Sequence, residues 1–91
     1  MQIRFVKNIQ FTRLVKADGR LREFNFRKLK GTGEELFSVD VVDDRGNRII
    51  FQLKKENGTW GLVEQVLPRW IGDHEQTFHD IIEEELRNME E

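Results

Sequence analysis

The residues of this chain whose types could do chemistry are two histidines, a cluster of acids, a single serine and one oddly placed glutamate. His74 and His79 are five apart. On a helix that separates them by about 140° around the axis, so they do not share a face as paired metal ligands must. His79 has Glu75 and Glu83 one turn away on either side and reads as a surface residue with acidic neighbours. Asp40, Asp43, Asp44 and Asn47 gather the oxygen donors a calcium loop uses, without its spacing or its closing bidentate Glu. Turn chemistry explains Asp and Asn there more simply. Gly31-Thr32-Gly33 lacks the Gly-Lys-Ser/Thr ending and the following helix of a phosphate loop. Ser38 is the only serine, and no histidine can be placed beside it as a base. No cysteine is present, which removes disulfides, thiolate catalysis and cysteine-bound zinc. No catalytic residue, metal ligand or cofactor site is assigned, and a non-enzymatic protein is expected.

These residues must be held by a small fold. Ninety-one residues suit one domain with one core. An apolar fraction of 37%, with seven Phe and two Trp, can fill that core. The first two-thirds alternates at period two. Ile3, Phe5, Ile9, Phe11 and Val15 alternate with polar residues and predict a strand over about 2–16, one or two pieces long. Asp18-Gly19 is a type I′ turn signal that pairs Phe11 with Phe26 and Arg13 with Phe24 in a second strand over 20–30. A third strand over 36–43 and a fourth over 47–56 are joined by Asp44-Arg45-Gly46, with Gly in the left-handed position. Their register sets Val41 against Ile49, Val39 against Phe51 and Phe37 against Leu53. Asn57-Gly58 repeats the I′ signal, sets Leu53 against Leu62, and predicts a fifth strand over 59–67 with Val66 opposite Ile49. Asp73 and Gln76 have capping-box spacing at the start of a helix over 73–89. Its apolar stripe is Phe78, Ile81, Ile82, Leu86 and Met89. The expected fold class is α+β: a five-stranded antiparallel meander, curved, with one C-terminal amphipathic helix packed on one face.

That register raises two questions about function. Glu64 falls on the core face opposite Phe51, where an unpaired carboxylate is costly. A bulge at Gly61, an edge position, or a salt bridge to Arg13 or Arg22 would explain it. The alternative is a small-ligand pocket between sheet and helix formed by Glu64, Trp60 and Trp70. The second question is the other sheet face. Val6, Leu14, Leu21, Leu29, Val42, Ile50, Val63 and Leu67 mingle there with charged residues, as scatter or as a contact surface.

Charge is sorted along the chain. Residues 1–30 carry nine Lys/Arg against two acids, a net of +7, and residues 31–91 carry six against fifteen, a net of −9. Arg4, Lys16, Arg20, Arg22, Arg27 and Lys30 make the first hairpin a candidate interaction surface. Nucleic acid is one partner it could meet, but all seven Phe fall on core positions, so no exposed ring remains to stack bases. Packing against the acidic helix, or against that of a second copy, explains the pattern more readily. The expectation is a small interaction module that self-associates, as a homodimer, through its sheet face or basic hairpin. A nucleic-acid-binding module is the alternative and the ligand pocket a weaker one. No stretch approaches the ~20 apolar residues of a membrane span, and a cytoplasmic location is expected.

Overall fold

The computed structural model describes residues 9–30 and 33–89. Five strands, β1 (Gln10–Ala17), β2 (Arg20–Leu29), β3 (Leu36–Val42), β4 (Arg48–Glu56) and β5 (Thr59–Leu62), are followed by helices α1 (Arg69–Gly72) and α2 (Glu75–Met89). The strands form one antiparallel sheet in the order β1-β2-β3-β4-β5, curled into a half-barrel. The fold is α+β, as the periodicity predicts.

Three turns set this order. Asp18 and Gly19 take φ of 54° and 81°, and Asn57 and Gly58 take 53° and 81°, the paired positive values of the I′ turn. The second hairpin closes with Gly46 at φ 83° and a bond from the Asp43 N–H to the Asn47 carbonyl of 2.9 Å. Asp43 Oδ1 accepts the backbone N–H of Arg45 at 2.9 Å and of Asn47 at 2.7 Å, the turn role expected of it. The resulting registers are those of the sequence: Phe11 with Phe26, Arg13 with Phe24, Val39 with Phe51, Phe37 with Leu53, Leu53 with Leu62.

Alternation then collects the core on one face. Phe24, Phe26, Phe37, Phe51, Val39, Val41, Leu53 and Trp60 are buried from the strands, and Ile71, Phe78 and Ile82 from the helices. Phe78 is the centre of this layer, with ring centroids 5.2 Å from Phe24, 5.4 Å from Phe51 and 6.2 Å from Phe26. Burying one such side chain contributes roughly 1.5–3 kcal/mol. Phe78, Ile81 and Ile82 stand at i, i+3 and i+4, and Leu86 one turn on packs against the same core. Met89, expected in that stripe, is 44% exposed.

Two boundaries depart from the sequence reading, and a third lies partly outside the described residues. The strand expected over 2–16 is described as β1 from Gln10, and residues 1–8, with Arg4, Phe5 and Val6, lie outside the described residues. The strand expected over 59–67 ends at Leu62. The Val63 N–H still donates to the Gln52 carbonyl at 2.9 Å, and the chain then leaves the ladder. Continuing would have buried Glu64 against Phe51. Departure leaves Glu64 exposed and reverses the parity after it, so Val66 is fully exposed and Leu67 packs on the core. The helix expected from 73 is split. Pro68 opens α1 at φ −57°, the value its ring enforces. Asp73 is not a cap for α2 because it ends α1 in helical geometry, and its N–H returns to the Arg69 carbonyl at 2.9 Å. Gln76 donates to Asp80 instead of reaching back.

Candidate interaction surface

Of the basic residues assigned to the first hairpin, Arg20 and Arg22 are engaged by the second hairpin loop, and Arg22 is inside the protein, whereas Arg4 lies outside the described residues. Arg22 lies opposite Val15 on the core face and is 6% exposed. Its Nε donates to the Ala17 carbonyl at 2.9 Å, its Nη1 meets Asp44 Oδ1 at 3.1 Å, and its guanidinium lies 4.5 Å from the Trp70 ring centroid. One side chain thus ties the first turn, the second hairpin loop and α1 together. It is not available to a polyanion. Arg20 is exposed but also meets Asp44, at 3.0 Å. Their hydrogen bonds and charge, Arg22's first, hold the Asp44 carboxyl below its ordinary value. Lys16, Arg27 and Lys30 are exposed on the hairpin.

The opposed charge blocks also meet inside the chain. Arg13, on the core face of β1, donates to Glu85 Oε1 at 2.8 and 3.1 Å and stands 3.5 Å from Glu84. The basic first strand is therefore bound to the acidic helix, as the packing explanation of the charge pattern expects.

The outer sheet face carries two patterns. A polar ladder crosses four strands: Thr12 donates to Asn25 at 2.6 Å, Asn25 to Asp40 at 3.0 Å, and Arg48 to Asp40 at 3.0 Å. Burial pushes the Asp40 carboxyl up, but the bonds from Asn25 and Arg48 outweigh it and leave it below its ordinary value. A groove of about 450 Å³ lies over this ladder, lined in part by Gln10, Arg27 and Arg48. Each ladder member is satisfied by its cross-strand neighbour, which makes it a sheet-stabilising device rather than a set of waiting ligands. Beside it runs an apolar stripe. Leu14 is 61% exposed, Leu21 64%, Val42 53% and Ile50 54%. Leu14 and Leu21 are diagonal neighbours across β1 and β2, because Leu14 faces Glu23 and Leu21 faces Lys16. Of the other expected members, Leu29 and Val63 are half-buried and Leu67 belongs to the core.

The two edges of the sheet differ. In β5 the N–H groups of Trp60 and Leu62 point away from β4. The first donates to His79 Nδ1 at 3.0 Å and the second to Glu75 Oε2 at 2.7 Å. Glu75 and His79 are i, i+4 on α2, about 6 Å apart along its axis. Trp60 and Leu62 are i, i+2 on a strand, about 6.7 Å apart. The spacings match, so one helix face caps one strand edge. Because Nδ1 accepts, the His79 proton sits on Nε2. The helical spacing places His79 on the surface, whereas it is half-buried against β5. Its signal was the Glu75/His79 pair facing a short terminal strand. In β1 the ladder bonds use the odd-numbered residues, as shown by the Lys28 N–H donating to the Ile9 carbonyl at 2.9 Å. The backbone groups of Gln10, Thr12, Leu14 and Lys16 point outward and have no backbone partner among the described residues.

The pocket residues are dispersed. Trp60 is buried edge-on to Phe37 at 5.1 Å, with Lys55 5.9 Å from its ring. Trp70 sits by Phe24 and Arg22. Glu64 lines an open groove of about 500 Å³ with Lys54, Glu56 and Thr59, away from both rings. Among the described residues, the Trp60 indole N–H is the buried side-chain polar atom without a partner. No group of three or more His, Asp or Glu among them is placed to hold a metal, and no described helix is long and apolar enough to cross a membrane. Compared with known proteins, the chain matches no family model, no curated protein and no solved structure, so its function must be argued from its own geometry.

Proposed function

We propose that this chain is a small, non-enzymatic interaction module that self-associates through its basic hairpin. The observation that carries this reading is the position of Leu14 and Leu21. Among the described residues they are the two most exposed aliphatics within the strands, they adjoin on the outer face of the β1–β2 hairpin, and they border an edge that has no backbone partner there. Covering about 25 cal/mol for each Å² of such surface favours association, and Lys16 and Glu23 beside them supply both signs of charge for orientation. Sedimentation equilibrium from micromolar to millimolar concentration tests the reading. A dimer is expected, and a monomer at millimolar concentration overturns it.

The nucleic-acid alternative is less well supported by the same hairpin. Arg22 is internal, Arg20 shares Asp44, and the outer face carries no aromatic ring among the described residues. Salt-sensitive oligonucleotide binding that falls when Lys16, Arg20 and Arg27 are neutralised would favour it over self-association.

A further inference from the structure

We infer that the self-association surface is the open edge of β1, and that its occupant is β1 of a second copy, paired antiparallel about a two-fold axis at Leu14. The inference rests on the self-association reading and specifies how it is built. Strand addition needs a row of outward N–H and C=O groups. β5 cannot supply one, since Glu75 and His79 take its donors. β1 presents Gln10, Thr12, Leu14 and Lys16 along eight residues of strand.

Like-charge avoidance and strand overlap fix the register in which a second copy pairs. A two-fold axis at Arg13 would set two guanidinium groups face to face, which is unfavourable for directly opposed residues. An axis at Val15 or Thr12 shortens the overlap within Gln10–Ala17. An axis at Leu14 pairs Phe11 through Ala17 with the second copy. Leu14 then faces its own counterpart on the outer side, and Thr12 faces the second copy's Lys16. On the core side Arg13 faces the second copy's Val15, and Phe11, half-buried and stacked on Phe26 at 4.8 Å, faces Ala17. The two Arg13 side chains become diagonal neighbours. Each keeps its own Glu84 and Glu85 at 3.5 and 2.8 Å, so each guanidinium enters the junction already paired with acids of its own helix. With the opposite edge capped, such pairing closes at two copies and does not propagate as a fibre.

Proline at Thr12 provides the test. The Thr12 N–H makes no ladder bond within the chain, so Thr12→Pro removes an outward donor while leaving the β1–β2 bonds in place. Thr12→Val, which loses only the side-chain bond to Asn25, is the control. Sedimentation is expected to show Thr12→Pro monomeric at concentrations where the wild type and Thr12→Val are dimers, with unchanged circular dichroism. A Thr12→Pro dimer as tight as the wild type overturns edge pairing and leaves self-association standing, whereas a wild-type monomer overturns both. Should Thr12→Pro fail to fold, Leu14→Cys decides, because the chain has no other cysteine. Mild oxidation is expected to link it covalently into dimers while Asn47→Cys stays unlinked. A dimeric Leu14→Cys sample that gives no linked species overturns the inference.

Discussion

β5 and β1 both terminate the same sheet, yet α2 treats them differently. At β5 it supplies acceptors to the backbone itself, through His79 and Glu75. At β1 it reaches only a side chain, the Arg13 guanidinium, through Glu84 and Glu85. The first contact uses up a strand's capacity to pair, and the second leaves that capacity intact. An unprotected edge in a small sheet is an aggregation hazard unless it is used. Among the described residues, the shorter strand, with four residues, is the one that is closed, and the longer one, with eight, stays open.

The largest expected effect comes from detaching the helix that makes this difference. Phe78→Ala removes the ring that meets Phe24, Phe26 and Phe51 and is expected to cost about 3–5 kcal/mol, read from urea denaturation. Because α2 would then bind loosely, both edges should become alike, and the variant should form species larger than a dimer. A variant that loses stability but remains strictly dimeric would separate the cap from the packing.

A smaller and more specific effect follows from the cap alone. His79→Ala leaves the half-buried Trp60 N–H without its acceptor, a loss of about 1–3 kcal/mol, and Glu75→Ala removes an exposed bond to the Leu62 N–H that water can replace, a loss of about 0.5–1.5 kcal/mol. Amide exchange should accelerate at Trp60 in the first variant and at Leu62 in the second, with the β1–β2 amides unaffected. His79→Gln, whose carboxamide oxygen can accept the same bond, should recover part of the Trp60 protection. Equal exchange in all three variants would remove the cap from the comparison.

How much of this was legible depends on what kind of constraint set it. Asp18-Gly19, Asn57-Gly58 and Gly46 fix backbone geometry within two or three residues, so every register they govern could be read from them. The end of β5 could not, because it is decided by a competition between further pairing and the desolvation of Glu64. The cap was hidden for a related reason: it depends on where α2 lands, and α1 shifts that start by two residues. Arg22 is a different case. Its place opposite Val15 put it on the core face by parity alone, yet its charge invited assignment to the surface. Parity outweighed residue type because Asp44, the Ala17 carbonyl and Trp70 satisfy the guanidinium there.

Acid sharpens the contrast from the β1 side. The Asp44 carboxyl is held below its ordinary 3.8 chiefly by the Arg22 hydrogen bond, and Asp43 is held below the same value chiefly by the Asn47 backbone N–H. A carboxyl whose folded value is depressed binds protons less well than in the unfolded chain. Its stabilising contribution is therefore present above about pH 4 and is lost as pH falls through the folded value. The loop that holds Arg22 behind the first hairpin should loosen first. Residue-resolved exchange below pH 4 is expected to show β1 and β2 opening before β4. Uniform opening across the sheet would contradict that order.

The smallest effect on the monomer belongs to the exposed stripe. Leu21→Ser changes a side chain that is 64% exposed, packs on no core residue and lies beside the open edge. Its cost to folding should stay within about 0.5 kcal/mol, as for other surface substitutions. Its effect on self-association should be larger, because Leu21 is a diagonal neighbour of Leu14 and lies beside the proposed two-fold axis. Ile50→Ser is the internal control. It removes a comparable area, 54% exposed, on β4 near the closed end of the sheet. If Leu21→Ser weakens the dimer and Ile50→Ser does not, contact is confined to the β1 end. If both weaken it equally, the copies meet across the whole outer face, and the difference between the two edges governs how each chain is protected rather than how two chains join.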